Sequence, residues 1–116
     1  MNNNTIAIHQ AFVDSILANN EAWKDLLQED VYLKGPLAEV QGKEDFITLN
    51  ETYFEAIKEM KIHHSIVEGD YITTQITTTI QTHDGSTTSF EAVEWYEFKE
   101  GKIQSLKVYF DPRPLM

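Results

Sequence analysis

The chain has no cysteine, which excludes a disulfide framework, a thiolate metal site and a cysteine nucleophile. It has a single arginine, Arg113, and nine basic residues against nineteen acidic ones, for a formal net charge of -10. Nucleic-acid binding draws on a basic footprint, and bidentate phosphate recognition draws on arginine. The charge balance therefore argues against nucleic acid, an anionic membrane surface and a polyanionic substrate. A neutral, mostly apolar small molecule or another protein surface is the expected partner. Met1 to Thr5 carry neither a basic segment nor the start of a long apolar run, so no signal peptide or membrane span is expected, and a cytoplasmic location follows.

What is present is an ordinary globular composition, 41% apolar and 11% aromatic over 116 residues. That is enough for a single core, so residues 1–116 are read as one domain. A first helix, capped by Thr5 or Asn4, is expected to run to about Asn19 with Phe12 and Ile16 on its apolar face. Glu21 to Leu27 reads as a second helix, capped by Asn20 and ended at Asp30, with Trp23, Leu26 and Leu27 inward. Val31–Leu33 and Ala38–Val40 flank Gly35-Pro36 as a small hairpin. Gly42 opens the longest periodic element. Glu44 and Asp45 favour its N-terminus, and Phe46, Leu49, Tyr53, Ile57 and Met60 follow at helical spacing, which predicts a helix to about Glu59.

Beyond that point the period becomes two. Ile62 to Val67, Tyr71 to Thr82, Phe90 to Phe98 and Ile103 to Phe110 read as strands, joined by turns at Glu68-Gly69-Asp70, Asp84-Gly85 and Glu100-Gly101. Helices first and a meander after is an α+β pattern, with helices on one face of an antiparallel sheet. The even-numbered strand residues are expected to form the inner face. The odd-numbered residues His63, Val67, Gln75, Val93, Trp95 and Tyr109 are expected on the outer one.

One strand organises this reading. Phe90, Ala92, Glu94, Tyr96 and Phe98 share a face, and Glu94 is its only charged member. A carboxylate there is either paired, or lines a cavity, or is functional.

Gly35-Pro36 followed by Gly42 and an acidic helix start, Glu68-Gly69-Asp70 before a long strand, and Tyr96 to Ile103 running into Tyr109-Phe110-Asp111-Pro112 together resemble the nuclear transport factor 2-like superfamily, in its small SnoaL-like branch. The resemblance implies a cystatin-like cone, a strongly curved antiparallel sheet wrapped around a long helix. It also implies an internal pocket, and often a dimer through the outer sheet faces. Members include isomerases, epoxide hydrolases, dehydratases, cyclases and non-catalytic binders, so function has to come from the site.

The family's known catalytic sets are not intact here. Ketosteroid isomerases pair an aspartate base with a tyrosine and a protonated aspartate. The base position aligns with Gly35 and the tyrosine position with Phe12, and only the protonated acid survives, as Glu94. The aspartate–arginine–aspartate relay of limonene epoxide hydrolases is also missing, since the Tyr71–Thr82 strand offers only threonine, glutamine and isoleucine and the last aspartate falls near Val108. Scytalone dehydratases use inward histidines and tyrosines, which His64 and Tyr32 could imitate.

The expected lining of the pocket is Phe12, Ile16, Tyr32, Phe46, Tyr53, Ile76, Phe90, Glu94, Tyr96, Leu106, Val108 and Phe110, around a mainly apolar ligand. Glu94 is the candidate proton donor or acceptor, and His64 or a tyrosine its assistant. The purely structural alternative has Glu94 bonded to Tyr32 or Tyr53 and His64 capping the end of the sheet. A collapsed, self-filled pocket in a non-enzymatic dimer is the competing function. No cofactor is expected, and His63 and His64 point to opposite faces of a strand, which disfavours a shared metal. Val93, Trp95 and Tyr109 form an outer aromatic patch of the kind a monomer rarely exposes, so a homodimer through this face is expected.

Overall fold

The computed structural model describes residues 3–113. Its elements are α1 (Asn3–Ala18), a short 3₁₀ helix (Ala22–Leu26), β1 (Leu27–Lys34), β2 (Glu39–Gln41), α2 (Lys43–Ala56), β3 (Ile57–Glu68), β4 (Tyr71–Gln81), β5 (Thr87–Lys99) and β6 (Lys102–Phe110). The strands make one six-stranded sheet in the order β2-β1-β6-β5-β4-β3. The meander β3 to β6 and the β1–β2 hairpin are antiparallel, and β1 joins β6 in parallel, so the open, curved sheet is mixed. The fold is the α+β cone, with both helices packed on the inner face.

Helix α1 is already running at Asn3, so neither Asn4 nor Thr5 caps it; Thr5 lies inside the helix and is buried. Asn20 does punctuate the next element. Its Oδ1 accepts from the Ala22 N–H at 3.0 Å and from the Ser15 hydroxyl at 2.6 Å, while Ser15 Oγ accepts from the Trp23 N–H at 2.9 Å. The expected second helix shrinks to one 3₁₀ helix because Leu27 already belongs to β1, pairing with Ile103. Gly42 enters α2 with φ +107, a conformation side chains resist, and its N–H donates to the Val31 carbonyl at 2.7 Å.

The expected end of α2 near Glu59 is corrected to Ala56. Ile57 and Met60, three apart, mimic a helical face, yet both lie on β3, opposite Ile80 and Thr78. A bulge between Ile57 and Glu59 makes this possible, because an extra residue in a strand moves the next side chain to the other face. A second bulge between Ile62 and His64 reverses the alternation again. Ile62 opposes Ile76 on the inner face, but His64 opposes Gln75 and Ile66 opposes Thr73 on the outer face, while Val67 opposes Ile72 on the inner. The expected placement of His64 and Val67 is therefore inverted. In β1 the inward residues are odd, Val31 and Leu33, which places Tyr32 outward, level with Ser105.

The core is aromatic. Phe12 from α1 lies edge-to-face with Trp23 at 6.4 Å between centroids, with Phe54 of α2 at 5.9 Å and with Tyr96 of β5 at 6.0 Å. Trp23 also meets Phe54 at 4.8 Å and Phe46 at 6.4 Å. Among the described residues, no helix is long and apolar enough to cross a membrane.

Because Phe12 touches three elements at once, Phe12→Ala is expected to lower unfolding free energy by about 3–5 kcal/mol. Ile6→Ala, on the exposed side of the same helix, is expected to change it by about 0.5 kcal/mol or less. Urea denaturation of the two variants against the parent checks this, and equal effects would contradict the assigned helix face.

Candidate active site

Between the helices and the inner face of the sheet lies an open cavity of about 210 Å³. Its walls come from every part of the cone: Phe12 and Ile16 of α1, Leu33 of β1, the turn Gly35–Ala38, Asn50, Tyr53 and Phe54 of α2, Ile57 and Met60 of β3, Thr78 of β4, and Leu106, Val108 and Phe110 of β6. Strand β5 contributes Glu94 and Tyr96. Leu37 and Leu49, both exposed, mark the mouth.

Glu94 is the one charged side chain in this wall. It sits mid-sheet, opposite Thr74 on β4 and Val108 on β6. The Tyr96 hydroxyl donates to its Oε1 at 2.9 Å. Glu94 keeps partial contact with solvent because the cavity opens onto it, but protein atoms crowd its carboxyl. Burial raises its pKa to about 7, which the Tyr96 hydrogen bond only partly offsets. Burial, reinforced by the Glu94 charge, also raises Tyr53 and Tyr96, so both phenols stay protonated at neutral pH. Asn50 donates from Nδ2 to the Phe46 carbonyl at 2.9 Å, which fixes its orientation.

Behind Tyr96 lies His9, buried, with its ring edge-to-face on the Tyr96 ring at 4.7 Å. Its Nε2 has no hydrogen-bond partner, and neither does the buried Oγ1 of Thr74, the residue opposite Glu94. Burial lowers the His9 pKa to about 4, so its ring is neutral at ordinary pH.

Of the residues expected to line the pocket, Phe12, Ile16, Tyr53, Glu94, Tyr96, Leu106, Val108 and Phe110 meet at the cavity. Four lie elsewhere. Tyr32 faces outward and its hydroxyl donates to Glu39. Phe46 is sealed in the core against Trp23. Ile76 and Phe90 form a second apolar cluster with Ala92, where Phe90 packs on Phe110 at 5.2 Å. His64 is exposed on the far side of the sheet, turned there by the β3 bulge, so it cannot assist Glu94. His63 is on that side as well, within 2.7 Å of Thr77 Oγ1. Asp111 Oδ1 accepts from the Arg113 backbone N–H at 3.1 Å, and its carboxylate also pairs with the Arg113 guanidinium. Thr78, expected on the inner face, also reaches the cavity, and the cavity residues not foreseen are chiefly Asn50, Phe54, Ile57, Met60 and the Gly35–Ala38 turn. Helical spacing from Phe46 and Tyr53 already placed Asn50 and Phe54 one turn apart on that face. Among the described residues, no group of three His, Asp or Glu side chains could hold a metal ion.

A curved sheet closed over two helices, with one carboxyl in an otherwise uncharged cavity, defines a cone-shaped pocket protein. The sequence model of the SnoaL-like domain matches residues 9–106, and the chain belongs to that family. Its structure is similar to an NTF2-like protein of unknown function from Cytophaga hutchinsonii, with 28% identity over 96% of this chain and 93% of the other, at a TM-score of 0.80. It is also similar to a protein from Jannaschia sp. provisionally called a SnoaL-like polyketide cyclase, with 17% identity, 97% and 89% coverage and a TM-score of 0.82. An LEH-like epoxide hydrolase from M. tuberculosis matches at 19% identity, 96% and 85% coverage and a TM-score of 0.82. The last two likenesses establish the fold alone. No curated protein matches the sequence.

His9 and Glu94 pull stability in opposite directions with pH. His9 is held neutral in the fold, so the unfolded chain takes up its proton first, and stability is lost as pH falls from about 6.5 towards 4. Glu94 is held protonated, so stability is lost as pH rises from 4.5 through about 7. The His9 contribution is roughly 3 kcal/mol across its window, and that of Glu94 opposes it, reduced by the solvent the cavity admits. Relative to the parent, His9→Leu is therefore expected to lose stability as pH rises from about 4 to 6.5, and Glu94→Gln to gain it from 4.5 to about 7. Denaturation midpoints across that range decide it, and parallel profiles for both variants would contradict the assignment.

Proposed function

We propose that this protein binds a small, mainly apolar molecule in the Glu94 cavity, and that Glu94 gives or takes a proton there. The observation that carries this reading is the open cavity itself, apolar around a single carboxyl. A carboxyl whose pKa is about 7 is available in both protonation states at neutral pH, as general acid–base work requires. Isomerase, cyclase and hydrolase types of chemistry all fit that requirement, and the SnoaL-like polyketide cyclase and epoxide hydrolase names among similar folds agree with it. At about 210 Å³ the cavity is smaller than the roughly 300–1,000 Å³ that houses a drug-sized ligand, so the molecule is compact.

Gly35 and Phe12 both lie at the cavity, and neither can supply a second acid–base group. Glu94 would therefore act as a lone proton carrier, held in place by Tyr96 and faced by Tyr53. The competing reading, a non-catalytic dimeric module with a filled interior, draws support from the Tyr96–Glu94 bond. Against it stands the cavity of about 210 Å³ that Glu94 and Tyr96 line.

Native mass spectrometry of the purified protein is expected to show a bound small molecule that denaturation releases. Once a substrate is in hand, Glu94→Gln is expected to lower turnover by about 10²-fold or more. Full turnover in that variant would rule out the proton-transfer role.

The outer sheet face is proposed to hold a second copy of the chain. Val93, Trp95 and Tyr109 are 37%, 46% and 56% exposed on it, Tyr71 stands against Trp95 at 6.3 Å, and the β3 bulge adds Ile66 to the same side. Light scattering at micromolar concentration is expected to give twice the chain mass, and Trp95→Glu to halve it. A monomeric parent would end this part of the reading.

A further inference from the structure

We infer that the molecule taken by the Glu94 cavity is a small apolar amine, bound as its ammonium ion with Glu94 as the counter-charge. The inference rests on the pocket reading above and deepens it by naming the ligand's polar group.

The cavity wall holds one charged group and no cation to pair with it. The ion pairs among the described residues join Lys24 to Glu21 and Glu51, Lys43 to Glu29 and Arg113 to Asp111, none of them at the cavity. A buried carboxylate is costly unless paired and hydrogen-bonded. With no cation in the cavity wall, Glu94 avoids that cost by staying protonated up to near neutral pH. A ligand that brings a positive charge removes it.

The hydrogen-bonding inventory points the same way. Tyr96 donates to Glu94 Oε1, which leaves Oε2 without a protein donor. Asn50 commits its amide nitrogen to the Phe46 carbonyl, which leaves its Oδ1 as a free acceptor. An ammonium group offers three donors and no acceptor, a match for such oxygens. Phe12, Tyr53, Phe54, Tyr96 and Phe110 also line the cavity, and aromatic rings attract cations at their faces. The formal charge of -10 adds a long-range field that draws cations and repels anions.

A neutral carbonyl ligand is the alternative, and pH separates the two. A carbonyl would accept from protonated Glu94 and so bind best at low pH, whereas an ammonium needs the carboxylate and binds best at high pH. The groups around Glu94 do not blur this contrast. Tyr96 on β5 and Tyr53 on α2 stay protonated, Thr74 and Thr78 on β4 and Val108 on β6 carry no charge, and His9 on α1, behind Tyr96, is neutral above about pH 4.

Calorimetric titration with benzylamine and with acetophenone, which is of similar size and uncharged, tests the inference. Benzylamine is expected to gain about tenfold or more in affinity between about pH 5.5 and pH 8, and acetophenone to lose affinity over the same interval. In Glu94→Gln, benzylamine should lose both its affinity and its pH dependence while acetophenone still binds, which reports an intact cavity. Acetophenone binding more tightly than benzylamine at pH 8, or a flat benzylamine profile, overturns the amine inference and leaves the pocket reading standing. Failure of both probes to bind the parent protein overturns the two together.

Discussion

The edge-to-face packing of Phe12 against Trp23, Phe54 and Tyr96 is the contact on which the rest of the structure depends. It ties α1, the 3₁₀ helix, α2 and β5 at a single point. Each ring buries a large apolar area, and the perpendicular arrangement suits aromatic quadrupoles. Because Phe12 and Phe54 also form cavity wall, the junction that stabilises the cone shapes the site as well. It holds the Tyr96 ring from one side while the Tyr96 hydroxyl reaches Glu94 on the other. The position of the acid is thus inherited from the packing of the core.

Much of this was legible in the sequence. The two-period of Tyr71–Thr82 and of Phe90–Phe98, with turns at Asp84-Gly85 and Glu100-Gly101, announced the central strands, but the turns alone do not set the register: from the Lys99–Lys102 pair Glu94 would face Lys107, and the shift between Glu97 and Phe98 brings it opposite Val108. Glu94 stood out as the one charge on an apolar strand face, and eight of the expected lining residues do meet around it. What stayed hidden has two physical sources. Bulges leave no compositional mark, so the shift in β3 that turns His64 outward could not be read from alternation. Nor does any glycine or proline separate α2 from β3, so Ile57 and Met60 continued a helical pattern that the backbone had already abandoned. Tyr32 is misplaced by face, because the inward residues of β1 are odd-numbered, and the other misplacements are of layer. Phe46, Ile76 and Phe90 face inward as expected, but in a packed interior an inward side chain can fill the core instead of lining the void.

His9 illustrates a different limit. In the sequence it is one polar residue on a helix face otherwise read from its apolar neighbours, and nothing there marks it as belonging to the site. In the fold its unpartnered nitrogen and its contact with Tyr96 place it one ring away from Glu94. Two groups with opposite titration behaviour thus share a tyrosine between them, one neutral because it lost a proton and the other because it kept one. Such a pair keeps the interior uncharged over much of the mildly acidic range, and so spares the cavity wall a compensating cation.

The double bulge in β3 also bears on how the protein survives at high concentration. β3 is twelve residues long and forms one border of the sheet, with its residues from Lys61 to Glu68 exposed. A flat strand of that length would offer a row of open backbone groups to any other chain and invite edge-to-edge polymerisation. Each bulge interrupts that row and bends the strand away from a straight template, and Lys58, Glu59, Lys61 and Glu68 put charge along the same border. The irregularity that turns His64 away from the cavity thus serves as protection against aggregation.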